Sequence, residues 1–231
     1  MKQRAFSLIE LMAVMAIIAI IALLTLPAFN GLGKAQAMTS AGSSLLDQLA
    51  AARQTAVAQN RVVEVRLYKR RENPAQPVST ANAERFRAFR TMIYDENVLN
   101  AFAHTTMQEF PARVVLNETP KYSTLIYPYP KDNPVGYGGR LSIKPTTAGY
   151  SDDTGLEYQV IRFKPTGRTD LLETGTPSAG AAPDAGTNGD RWFLTIQSEN
   201  PEKDVPTGRP SNNYFTLILD PVSGRVRIYR P

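Results

Sequence analysis

The chain has 231 residues, 42% of them hydrophobic and 20% charged, with a net charge of +5. That length supports one sizeable core plus an extended segment, and the composition is that of a globular protein, not a disordered one. Cysteine is absent and His104 is the single histidine, which excludes disulfides, thiol chemistry and multi-histidine metal centres; the mild positive charge does not by itself point to nucleic acid or acidic lipid.

The chain opens on a short basic stretch, Met1-Lys-Gln-Arg-Ala5, followed at once by Phe6-Ser-Leu-Ile-Glu10. From Leu11 to Phe29 nineteen residues pass without a charge, and the next charge is Lys34. About 20 apolar residues at ~1.5 Å each match one bilayer-spanning helix. Lys2 and Arg4 precede the span, which predicts a cytoplasmic N-terminus and places the bulk of the chain outside. Three readings compete: a secretory signal peptide cut after Ala37, a plain signal anchor, and a segment cut before Phe6 whose new α-amino group pairs with Glu10. A signal-peptide apolar region spans roughly 7–15 residues, and this one is longer and opens with a carboxylate. A carboxylate near the centre of a membrane helix costs about 2.5–3.5 kcal/mol, which weighs against the first two readings. Snorkelling toward the cytoplasmic end lowers that cost.

The run Ala5-Phe-Ser-Leu-Ile-Glu10-Leu resembles the prepilin N-methylation motif of type IV pilins and type II secretion pseudopilins. The resemblance implies cleavage between Ala5 and Phe6 by a prepilin peptidase, methylation of the Phe6 amine, and Glu10 as the assembly carboxylate that meets a neighbouring subunit's N-terminus. It also implies other pilins or pseudopilins as filament partners, a single pass through the bacterial inner membrane, and a periplasmic head. The family usually carries glycine where this chain has Ala5, and the departure implies slower processing. Loss of Lys2 and Arg4 with the leader leaves 24 basic and 21 acidic residues, a charge of +3. Pro27 removes a helix hydrogen bond and predicts a bend there, as in many pilins, or else a helix end at the membrane boundary.

After Lys34 the pattern turns amphipathic. Met38, Ala41, Leu45, Leu49, Ala52 and Ala56 form one apolar stripe, with Asp47, Gln48, Arg53, Gln54 and Gln59 on other faces. A helix from Phe6 to Gln59 would reach roughly 80 Å if continuous. Asn60 is the expected stop. Arg61–Tyr68 alternates, with Val63, Val65 and Leu67 on one face of a half-buried strand. Further strands are expected at Arg85–Tyr94, Arg113–Asn117, Leu141–Lys144, Tyr158–Lys164, Trp192–Gln197, Tyr214–Leu219 and Arg225–Tyr229, the last two joined as a hairpin through Asp220–Gly224. The fold class is α+β, one long N-terminal helix packed on an antiparallel sheet. The expected organisation is a leader over 1–5, a membrane or filament-core helix over 6–33, its amphipathic half over 34–60, and a β-rich head over 61–231. Loops at 118–155 and 173–190 are rich in Pro, Gly and small residues and are candidate partner contacts or tolerated insertions.

Three stretches carry a narrower likeness. Leu49 through Arg66, Phe163-Lys-Pro-Thr-Gly-Arg168 and Leu219-Asp-Pro-Val-Ser-Gly-Arg-Val-Arg227 resemble H-type minor pseudopilins, the GspH/FimT-like group. Within that group the chain looks most like the prepilin-type proteins labelled Verru_Chthon cassette protein D. Gly224-Arg-Val-Arg227 is similar to the stretch with which FimT-like pilins contact DNA, so Arg225, Arg227 and Arg230 are candidate phosphate contacts and DNA an alternative partner. The other reading of these arginines is a solvated strand face. No phosphate loop and no serine-nucleophile elbow is present, and Gly136-Tyr-Gly-Gly139 lacks the Lys-Ser/Thr that would complete the former. Asp132-Asn133 and Asp152-Asp153 lack calcium-loop spacing, and a lone His104 is more often a surface group than a general base. No catalytic residue, no metal site and no cofactor is expected; the expected role is that of a structural subunit.

Overall fold

The apolar run and the three- and four-residue spacing that follows it form one helix, α1 (Leu8–Gln59). The computed structural model describes residues 8–79, 82–95, 100–119, 122–126, 156–169, 192–199 and 214–230, and for 22–32, 34 and 100 the backbone alone. The chain divides into two compact units, Met1–Ala37 and Met38–Pro231.

In the first unit every side chain of α1 from Leu8 to Ile21 is exposed, Leu8 at 76% and Ile21 at 55%. A helix apolar on all sides has no core-facing stripe, and so large an exposed apolar surface marks a membrane or protein contact. Among the described residues no helix is long and apolar enough to cross a membrane. Helix α1 continues through Pro27, which therefore stands inside the helix and not at its end.

In the second unit the stripe is buried as its spacing predicts: Met38, Ala41, Leu45, Leu49, Ala52 and Ala56 are all at most 2% exposed. Gln48 corrects the expectation, because it is buried between Leu45 and Leu49 instead of lying on another face. Its amide donates to the Thr91 hydroxyl, which satisfies a polar group inside the core. The helix stops at Asn60, whose φ of 51° is left-handed, and Arg61 N–H closes back on the Ala56 carbonyl at 3.2 Å. Asparagine tolerates that conformation better than most residues, and this bond is the one that ends a Schellman-type cap.

Two antiparallel sheets receive the helix. The first contains β1 (Val62–Arg70), β2 (Arg85–Asp95), β3 (Asn100–Ala103), β4 (Gln108–Glu109) and β6 (Tyr158–Phe163), in the order β3-β2-β1-β6, with β4 also on β2. The second contains β5 (Val114–Leu116), β7 (Trp192–Ser198), β8 (Tyr214–Leu219) and β9 (Val226–Tyr229), in the order β5-β7-β8-β9. Val63, Val65 and Leu67 are fully buried, but so are Glu64 and Tyr68 on the opposite face of β1. The strand expected to be half-buried is thus buried on both faces, and in the plane of the sheet it pairs with β2 on one side and β6 on the other. The expected strand at Leu141–Lys144 and most of the 118–155 and 173–190 loops lie outside the described residues.

Helix α1 bridges the two sheets. Ser44 bonds Gln108 and Gln48 bonds Thr91 on the first sheet, while Gly42 lies against the Phe215 ring on the second. A buried ion pair adds a direct tie, with Arg87 Nη2 2.8 Å from Glu199 Oε2. At Gly42 a side chain would meet the Phe215 ring at overlapping distance. Overpacking of this kind costs about 1–3 kcal/mol. Gly42→Val is therefore expected to lower the thermal midpoint of the full chain in detergent, and Phe215→Leu in the same chain to restore part of the loss. An unchanged midpoint for Gly42→Val would mean that the ring moves aside.

Candidate functional site

Two places gather the residues singled out in the sequence. The first is the N-terminus of α1. Glu10 lies in the helix's first turn and is exposed. A carboxylate there is favoured by the partial positive charge of the helix N-terminus. Ala5 and Phe6 lie outside the described residues, as does the Pro27 side chain.

The second is a junction built from the three stretches that carry the narrower likeness. Arg53 projects from α1 and donates from Nε to two backbone carbonyls, Gly167 O at 3.2 Å and Ser223 O at 2.7 Å. Gly167 follows β6 and Gly224 follows Ser223 in the β8–β9 turn, with φ of 77° and 64°. Both values suit glycine, and at Gly224 a Cβ would also overlap the Gly167 carbonyl oxygen. Thr169 then bonds Pro221 O at 3.1 Å through its N–H and its hydroxyl. One guanidinium thus locks the end of the first sheet to the last hairpin of the second. Sequence reading missed this role of Arg53. The available signal was the repeated Thr/Ser-Gly-Arg at 166–168 and 223–225, two turns of one kind that need a common partner.

The hairpin turn holds itself as well. Asp220 accepts from Val222 N–H at 3.0 Å and from the Ser223 hydroxyl at 2.6 Å. These hydrogen bonds, Ser223's foremost, hold the Asp220 carboxyl below its ordinary pKa, with a smaller contribution from Arg227. Beyond the turn, Arg225 and Arg227 are exposed and, by strand alternation, share one face. Arg230 falls on the other face, where Nη1 donates to the Thr39 hydroxyl of α1 at 3.1 Å. The three arginines therefore do not form one cluster. The expectation that Val226 and Ile228 enter the core also needs correction: Val226 is half-buried and Ile228 is 46% exposed. Among the described residues β9 is the last strand of the sheet, with no strand beyond it to cover its core-side residues.

A further charged group lies on the face of the first sheet away from α1. Glu64, 1% exposed, accepts from Arg66 at 3.0 Å and from Arg162 at 2.8 Å. Burial pulls the Arg66 guanidinium toward a lower pKa, but the Glu64 charge, with smaller help from the Tyr158 and Tyr68 rings' hydroxyls, outweighs it and raises the value. Arg66 also stacks over the Tyr158 ring at 4.6 Å and Arg162 over Tyr94 at 5.3 Å. The His104 side chain is exposed, and its backbone N–H donates to Thr91 O at 2.9 Å. Among the described residues no group of three or more acidic, histidine or cysteine side chains is placed to hold a metal ion; Asp132-Asn133 and Asp152-Asp153 lie outside them.

A family model for the prokaryotic N-terminal methylation motif matches residues 1–26. The match covers the segment that holds Ala5, Phe6 and Glu10 and supports a type IV pilin-like protein that assembles as a structural subunit. No curated protein and no solved structure matches the chain.

Removing Arg53 leaves two carbonyls of the junction without their charged donor. Hydrogen bonds to a charged group contribute about 1.5–3 kcal/mol. Arg53→Ala is expected to destabilise the chain by about 2 kcal/mol in denaturant unfolding and to speed amide exchange at Thr169. Unchanged exchange at Thr169 would show that the two turns hold together without the clamp.

Proposed function

We propose that the chain is a minor pilin or pseudopilin, a structural subunit of a type II secretion or type IV pilus-like filament. The observation that carries this reading is the methylation motif over residues 1–26. On this reading a prepilin peptidase cuts between Ala5 and Phe6 and methylates the Phe6 amine. The leader is 1–5, the membrane and filament-core helix 6–33, its amphipathic half 34–60, and the head 61–231. The N-terminus lies in the cytoplasm, the helix passes once through the inner membrane, and the head is periplasmic, in keeping with Lys2 and Arg4 ahead of the span. The apolar surface from Leu8 to Ile21 suits lipid before assembly and neighbouring helices afterwards. Glu10 pairs with the N-terminal amine of the next subunit and fixes register, while Pro27 bends the helix where it leaves the bilayer. The head sets which subunits meet within an H-type, GspH/FimT-like position in the machine.

The test is mass spectrometry of the N-terminus after co-expression with a prepilin peptidase. The expected product begins at Phe6 and carries a methyl group on its amine. A chain still beginning at Met1 beside an active peptidase would overturn the reading and leave an unprocessed single-span membrane anchor.

The exposure of Arg225 and Arg227 favours a second reading, a DNA-binding pilin in DNA uptake. Phosphate contacts by these arginines would be independent of sequence and sensitive to salt. In a gel-shift titration, replacing either with alanine should lower the salt slope by about one. Duplex that does not shift at all with the unaltered chain at low salt would dismiss this reading.

A further inference from the structure

Among the described residues the outer edge of β9 carries no strand. Asp220 N–H bonds Arg225 O at 2.9 Å, and the register pairs Ile218 with Arg227 and Thr216 with Tyr229. In an antiparallel ladder the residues that exchange hydrogen bonds alternate with residues that do not. The Arg225 carbonyl is spent on Asp220 and its N–H on the Ser223 hydroxyl at 3.3 Å, Arg227 and Tyr229 spend their backbone groups on β8, and the N–H and C=O of Val226 and Ile228 therefore point outward. Among the described residues β8 is the single strand neighbour of β9.

The side chains along this edge differ by face. On the face shared with Leu217 and Leu219, beside α1, stand Val226, half-buried, and Ile228, 46% exposed. On the other face stand Arg225 and Arg227, both exposed, with Ile218 opposite Arg227 at 36% exposure. Among the described residues neither guanidinium has a salt-bridge partner. A strand laid against β9 would extend the apolar surface on one face and meet two positive charges on the other. Charged side chains on an edge strand ordinarily keep other strands away, and charges of one sign repel a like-charged strand more than an oppositely charged one. A second copy of β9 in antiparallel pairing would bring arginine against arginine, which disfavours it.

We propose that β9 is a docking edge for an extended segment of another protein, one that alternates apolar with acidic residues and pairs by main-chain hydrogen bonds. The apolar residues would flank Val226 and Ile228, and the carboxylates would face Arg225 and Arg227. This surface belongs to the head and does not depend on how the N-terminus is processed.

The experiment uses the full chain in detergent and a fluorescent hexapeptide alternating valine with glutamate, alongside its lysine counterpart and a copy with backbone N-methyl groups on the valines or on the glutamates. Fluorescence anisotropy should show the glutamate peptide binding at least about tenfold more tightly than the lysine peptide or than the N-methylated copy whose blocked amides face β9. Reversing both charges, Arg225→Glu with Arg227→Glu, should exchange the preference in favour of lysine. Ile228→Pro removes an outward N–H while leaving the ladder to β8 intact, as proline on an edge strand allows, and should abolish binding of both peptides. Circular dichroism checks that each variant keeps its sheets, and should Ile228→Pro fail to fold, the charge reversal and the N-methylated peptides still decide. Equal binding of the glutamate peptide and both of its N-methylated copies would reduce the contact to charge alone and overturn the proposal. So would an unaltered chain that binds neither peptide, or one that leaves both alone and shifts with duplex DNA.

Discussion

The second unit depends on the burial of one helical stripe against two separate sheets. Met38, Ala41, Leu45, Leu49, Ala52 and Ala56 lose nearly all their exposure along α1, and each full burial of a large aliphatic side chain contributes about 1.5–3 kcal/mol. Neither sheet is large, and a sheet with an apolar face must bury that face against another element. The helix supplies the missing cover for both. That explains why Gly42 stands beside Ala41 on the buried side of the helix: a bulky residue at Gly42 would lift α1 off Phe215.

Burial on both faces of β1 places charges where apolar residues alone would have been simpler. Glu64 is tolerated because two guanidiniums share it, and Arg87 because Glu199 and Glu72 lie within 2.8 Å and 3.5 Å. Such pairs add little net stability over an apolar pair of the same shape, since desolvation offsets the attraction. What they add here is position. Arg87 occupies the point where the β1–β2 register shifts, opposite the Tyr68/Lys69 step, and it reaches the end of β7 from there. Removing Glu199 would leave the buried Arg87 with the more distant Glu72, and removing Arg87 would leave the buried Glu199 with the more distant Arg85 at 3.8 Å, so the pairing constrains how the two sheets meet.

What was legible in the sequence follows from the range of each signal. The stripe, the stop at Asn60 and the strand at Tyr214–Leu219 depend on neighbours a few residues apart, and they appear where the spacing puts them. The N-terminal motif is legible for the same reason, since its chemistry sits within a few consecutive residues. Strands β3 and β4 carry four and two residues, too short for any period, and exist because β2 offers them an edge. Gln48 breaks the polar-out rule because its partner, Thr91, is 43 residues away. Ile228 breaks the apolar-in rule because being last in a sheet is a property of topology, which alternation cannot report. Arg53 reads as an ordinary polar position on a helix until two glycine turns, more than fifty residues apart, are seen to meet beneath it.

The edge strand and the helix are joined at both ends of the same stretch. Arg53 holds Ser223 ahead of β9, and Thr39 receives Arg230 just past it. Arg53 follows Thr39 along α1 while its partner Ser223 precedes Arg230, so β9 runs alongside α1 in the opposite direction and is tethered to it at each end. An edge strand fixed in this way has little freedom left to lose when another strand docks, and pre-organisation of that kind favours binding. The same tethers mean that a load placed on β9 passes into α1 through Arg53 and Thr39, and through the hydrogen bonds of the sheet.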